Sequence, residues 1–116
     1  MDTVSRAGSA SELPVATIAV RRQPGGQRDI FRAYRIVVDG KTVGKIRRGQ
    51  SREVQVFPGS HTLVIAIDWG SSPMAQVELQ AGDRAAFVCE PGGSAETALA
   101  TGLLDRHAYI SLSWDV

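Results

Sequence analysis

Few side chains in this sequence carry reactive chemistry, and they are scattered along it. The chain has two histidines and one cysteine. A metal site drawn from His61, Asp68, His107 and Cys89 has none of the short ligand spacings that make a zinc site legible. His61 follows Pro58-Gly59-Ser60 at the start of an apolar run, where a hydrogen bond to the turn accounts for it. His107, beside Asp105 and Arg106, reads as a solvated loop residue. Cys89 has Glu90 next to it rather than a cation, which does nothing to stabilise a thiolate, so it reads as a buried, inert thiol. The sequence contains no P-loop, dinucleotide fingerprint, Gly-x-Ser-x-Gly elbow or His-Glu-x-x-His. Its Pro24-Gly25-Gly26 and Pro91-Gly92-Gly93 stretches lack the Lys-Ser/Thr that phosphate cradling needs. No catalytic residue, metal or cofactor is expected, and the chain reads as a non-enzyme.

What remains is surface chemistry. Net charge is +1, yet residues 1–58 hold 11 Lys+Arg against 5 Asp+Glu while residues 59–116 hold 2 against 7. This split fits either an anion-binding face or a fold in which early strands meet late strands with complementary charge. Most of the basic side chains lie between Arg21 and Arg52, including Arg21-Arg22, Arg47-Arg48 and Lys45. An anion or nucleic-acid site would need Arg21, Arg22, Arg32, Arg35, Lys45, Arg47, Arg48 and Arg52 on one face, interleaved with Phe31 and Tyr34. Strand alternation sets Arg32 and Arg35 on opposite faces, which argues against nucleic acid. Trp69 and Trp114, large amphipathic residues at element ends, suit a contact patch for a partner or a second subunit. Trp69, Trp114, Arg47 and Arg48 are the candidate interaction residues.

The elements that position these residues are short strands. From Phe31 to Glu90, alternating apolar runs are cut by Asp39-Gly40, Pro58-Gly59, Gly70-Ser71-Ser72-Pro73 and Ala81-Gly82-Asp83. Strands are expected over Val15–Arg22, Phe31–Val38, Lys41–Arg47, Arg52–Phe57 and His61–Trp69, then through Ala75, Val77 and Leu79, through Ala85, Phe87 and Cys89, and over Tyr109–Val116. Asp39-Gly40 suits a two-residue type I′ hairpin turn, whose central residues both need positive φ. The run from His61 is apolar on both faces, which marks it as the central, most buried strand. Residues 94–104 read as a short helix or irregular insert capped by Ser94.

Seven or eight strands joined by tight turns predict an all-β antiparallel β-sandwich, with closure into a barrel as the competitor. Residues 1–12 are small and polar and read as a disordered tail ahead of a single domain over residues 13–116. The first residues lack the basic and apolar segments of a secretory signal, no run of about 18 apolar residues occurs, and one cysteine makes no internal disulfide. These point to a cytoplasmic protein with no membrane segment.

Between Ile36 and Val88 the runs Val37-Val38-Asp39-Gly40-Lys41-Thr42-Val43-Gly44, Val56-Phe57-Pro58-Gly59-Ser60-His61-Thr62-Leu63 and Val77-Glu78-Leu79-Gln80-Ala81-Gly82 form a pattern of turns and strands. It resembles that of PEGA-type β-sandwich domains and related uncharacterised bacterial families. The resemblance implies an accessory surface or interaction module. The expected function is non-catalytic binding, protein–protein or self-association, with anion or nucleic-acid binding as the alternative.

Overall fold

The structure, a computed structural model, describes residues 14–24, 32–92 and 106–115. The expected tail over 1–12 and the insert over 94–104 lie outside these. Among the described residues there are nine strands, in two sheets, and a single 3₁₀ turn at Arg106–Ala108. The strands are β1 Ala16–Arg22, β2 Tyr34–Val38, β3 Lys41–Ile46, β4 Ser51–Val56, β5 Gly59–Ile67, β6 Gly70–Ser71, β7 Ala75–Leu79, β8 Arg84–Pro91 and β9 Ile110–Trp114. Sheet one has the order β9-β8-β1-β4; sheet two has the order β3-β2-β5-β6, with β7 also paired to β5. The all-β, sandwich-like architecture expected from the alternation is the one observed.

The core lies between the sheets and follows the period of two. Ala16, Ile18 and Val20 of β1 and Ala85, Phe87 and Cys89 of β8 meet Tyr34, Ile36, Leu63, Ile65 and Ile67 of sheet two, all buried. Burying each of the larger side chains contributes about 1.5–3 kcal/mol. β5 is the central strand, with β2 along one edge and β6 and β7 sharing the other.

Three features depart from the expected plan. β1 and β8 pair in parallel, Ile18 opposite Ala85 and Arg22 opposite Cys89, in a sandwich otherwise antiparallel. They are far apart in sequence, so no short turn dictates their relative direction. Second, β5 ends at Ile67, and Asp68-Trp69 is itself the two-residue turn; Gly70-Ser71, expected as turn, is a short returning strand. Third, Val43 is an extra residue between the Ile36–Gly44 and Val37–Thr42 pairs, a β-bulge that turns its side chain outward.

The Asp39-Gly40 hairpin behaves as its residues dictate. Val38 pairs with Lys41, and Asp39 and Gly40 have φ of 52° and 82°, the positive values a type I′ turn requires. Asp39 is the only non-glycine residue with positive φ among the described residues.

Candidate functional site

The end of sheet two at the Asp68-Trp69 turn gathers the densest set of polar and aromatic side chains. Asp68 Oδ1 accepts from Arg35 Nη1 at 2.7 Å, and Oδ2 from Arg32 Nη2 at 3.2 Å. The hydrogen bond from Arg35, reinforced by both positive charges, holds the Asp68 carboxyl below the usual carboxylate range. The Arg32 guanidinium also lies over the Trp69 ring, 4.9 Å from its centroid. Trp69 and Tyr109 pack T-shaped, their ring centroids 6.3 Å and their planes 84° apart. The indole is thus held on two sides and remains 45% exposed. Ser71 Oγ lies 3.1 Å from His107 Nδ1 at the margin of this cluster.

Local backbone geometry builds this end. Arg35 belongs to β2, but Arg32 precedes the strand, so alternation does not apply to it and both guanidinium groups converge on one carboxylate. The expectation of opposite faces is corrected here. Gly92 donates its N–H to Tyr109 O at 3.0 Å, and a Cβ at Gly92 would lie 2.7 Å from Ala108 O. Only glycine lets β8 come this close to the segment carrying Tyr109.

Arg22 lies beneath the same end and is 1% exposed. It follows Ile18 and Val20 on the inward face of β1. Its guanidinium stacks on Tyr34, 3.8 Å from the ring centroid, and Nη1 donates to Arg32 O at 2.6 Å and Ile46 O at 3.2 Å. Arg22 ties together the chain leading into β2 and the end of β3. Sequence reasoning placed it in a surface basic cluster; its inward position in the alternation was the available signal. Cys89, its register partner, is buried as expected, and burial pushes its thiol up to about 12, outweighing the opposing effect of Arg22.

Arg47 and Arg48 lie in the β3–β4 loop, exposed, at this same end. Arg47 N donates to Gln50 Oε1 at 2.8 Å, and Arg48 Nε donates to Pro24 O. Neither guanidinium is paired with a carboxylate among the described residues. Trp114 is elsewhere. It ends β9, five residues beyond Tyr109 or about 17 Å of strand, and stacks on Phe87 at 4.5 Å with planes 28° apart, 56% exposed. The two tryptophans therefore do not form one patch. The exposed Phe57 and Met74 were not singled out in the sequence; a strand-end position and a residue after proline give no signal that distinguishes them from core residues.

The remaining titratable groups serve the fold. His61 Nδ1 pairs with Asp39 Oδ2 and Nε2 with Phe57 O, both at 2.6 Å. Asp39 Oδ1 accepts from Thr62 N at 2.9 Å, and Asp39 N donates to Thr62 O at 3.0 Å. The Asp-Gly turn and the Pro-Gly-x-His segment, distant in sequence, thus form one staple, as the turn-stabilising reading of His61 expected. On the outer face of sheet one, Arg21 holds Asp115 through two bonds of 3.0 Å and Arg84 pairs with Glu53 at 2.8 Å. Bases of the early half meet acids of the late half in the Arg21–Asp115 pair and in the Arg32 and Arg35 pairs with Asp68, whereas Arg84–Glu53 runs the other way. Among the described residues no three His, Cys, Asp or Glu come together as a metal-holding group. Among the described residues no helix is long and apolar enough to cross a membrane. Compared with protein-family models and with curated proteins, the sequence matches none.

Proposed function

We propose that this protein is a non-catalytic interaction module of the PEGA-like kind, working in the cytoplasm, whose Trp69 end docks another protein. One observation carries the reading: a half-exposed indole is held by a guanidinium over its ring and a T-shaped aromatic contact, on a turn whose aspartate is clamped by two arginines. Tryptophan and arginine in such arrangements dominate binding energy at protein interfaces, because little side-chain freedom remains to be lost. The partner it fits presents an apolar side chain to the exposed indole face. Native mass spectrometry of the untagged protein from its own host tests this. A co-purifying protein lost on Trp69→Ala supports it; a co-purifying protein retained by that variant removes the site.

Anion binding is the second reading, favoured by the position of Arg47 and Arg48 at this same end without carboxylate partners. Salt-dependent retention on a polyanion, abolished by charge reversal at both positions, would support it. Retention unaffected by salt ends it. Arg21, Arg32 and Arg35 already hold carboxylates and Arg22 is buried, so nucleic acid remains the weaker reading.

A further inference from the structure

Among the described residues sheet one ends in β9, whose outer edge has no partner strand and differs from the edges of β3, β4 and β7. β3 carries Lys41, Lys45 and the Val43 bulge; β4 carries Arg52 and Glu53; β7 follows Pro73 and carries Glu78. Charges, bulges and prolines of this kind discourage pairing with another chain. β9 reads Ile-Ser-Leu-Ser-Trp and has none of them.

The polarity of its backbone can be assigned. Gly92 N donates to Tyr109 O at 3.0 Å and Asp115 N donates to Ala86 O at 2.8 Å. Alternation then turns Tyr109, Ser111, Ser113 and Asp115 toward β8, and leaves the N–H and C=O groups of Ile110, Leu112 and Trp114 facing the open edge. We infer that β9 pairs with β9 of a second copy, antiparallel about a two-fold axis at Leu112. Leu112 faces its own copy, and Ile110 faces Trp114 of the second copy. This register is self-complementary and satisfies every outward main-chain group of the strand in three hydrogen-bonded pairs. It brings the exposed indole of Trp114 beside Ile110 of the second copy and sets Ser111 opposite Ser113. No uncompensated charge enters, because Asp115 at the end of the strand is held by Arg21.

A second copy is the occupant because the two-fold register matches apolar with apolar and serine with serine along the whole strand. The contact is smaller than the roughly 1,600 Å² of a standard interface, so the dimer forms and dissociates with concentration. The inference deepens the interaction reading by naming one partner, and it uses a surface separate from Trp69, so failure at either leaves the other standing.

Sedimentation velocity of the full chain over a concentration series tests it, together with Ser111→Lys/Ser113→Lys. In the proposed register the double variant opposes lysine to lysine twice, which raises the dimer dissociation constant by about tenfold or more, with an unchanged circular dichroism spectrum. Ser111→Cys and Ser113→Cys supply a measurement that does not depend on that variant folding. Mixed under oxidising conditions they form a disulfide-linked dimer, whereas each alone does not. Cys89 is buried and stays outside the reaction. A monomer at every concentration overturns the inference. So does a dimer indifferent to the lysines, or cross-linking of either cysteine variant alone.

Discussion

The two ends of sheet two each close a hairpin on a two-residue turn that begins with aspartate, yet they are built differently. At Asp39-Gly40 both residues have positive φ, the glycine supplies the conformation, and the aspartate is spent on Thr62 N and His61. At Asp68-Trp69 neither residue has positive φ, the second position is a half-exposed tryptophan, and the aspartate holds two arginines. The first end uses its side chains to fix the strand pairing. The second uses its turn to present groups outward, and its returning strand is only two residues long. The Asp39-Gly40 end turns its polar side chains onto its own strands, whereas the Asp68-Trp69 end leaves its indole half exposed.

The comparison breaks most readily at Ser72, which completes the short return at the Trp69 end. Buried Ser72 accepts from Ile65 N at 3.0 Å through Oγ and donates its own N–H to Ile65 O at 2.8 Å. The side chain stands in for the ladder bond that the irregular chain before β7 does not make. Ser72→Ala leaves the buried Ile65 N–H without its acceptor, and urea unfolding is expected to show a loss of about 2 kcal/mol. A loss below roughly 0.5 kcal/mol would mean the end is held by the Asp68 pairs instead.

At the opposite end the expected effects are smaller. Gly40→Ala places a side chain at φ 82°, and the left-handed conformation costs about 1 kcal/mol. Chemical denaturation measures it, and an effect at Gly40 without one at the Trp69 turn would confirm that only this turn depends on glycine.

His61 then contributes about 1 kcal/mol, a charge-assisted bond discounted for the exposure of Asp39. The Asp39 hydrogen bond, then the Phe57 carbonyl, hold His61 above its usual range, and Glu78 adds to this. Asp39 lies below its usual range through the His61 bond and then Thr62 N. The His61 contribution is therefore complete below about pH 6.5 and is lost as pH rises through the raised value. The Asp39 contribution is complete above about pH 4 and is lost as pH falls through the lowered value. Stability measured for His61→Gln and the natural chain at pH 6 and pH 9 is expected to differ at the first and converge at the second. Equal differences at both would assign His61 a packing role without charge.

The same comparison separates what local sequence carries from what it does not. Asp39-Gly40 was legible because the turn type follows from two adjacent residues, and the inward face of β5 was legible because alternation needs no partner. The Asp68-Trp69 turn was hidden because Trp69 is no turn former and the Gly-Ser-Ser-Pro after it is a stronger signal than a lone aspartate. The convergence of Arg32 and Arg35 was hidden because it depends on where β2 starts, and strand ends are set by pairing with β3 and β5. The parallel pairing of β1 and β8 and the buried stack of Arg22 on Tyr34 rest on tertiary register, to which a local pattern is blind. Trp69 was legible as a surface candidate from its type and place; its supports, Arg32 and Tyr109, lie far away in sequence.

The smallest expected change in stability is also the one that most directly separates presentation from folding. Trp69 sits on the turn with its indole half exposed, touching Arg32 and Tyr109 from outside the core. Trp69→Ala is expected to shift the unfolding free energy by no more than about 0.5 kcal/mol, since no cavity opens and no buried polar group loses its partner. The Asp68 pairs with Arg32 and Arg35 do not involve the indole and persist. Loss of a co-purifying partner at unchanged stability would place recognition at this end and leave the Asp39–His61 end as scaffold. A loss of about 2 kcal/mol or more would instead make Trp69 a structural cap on Tyr109, and the two ends would differ in residues but not in kind.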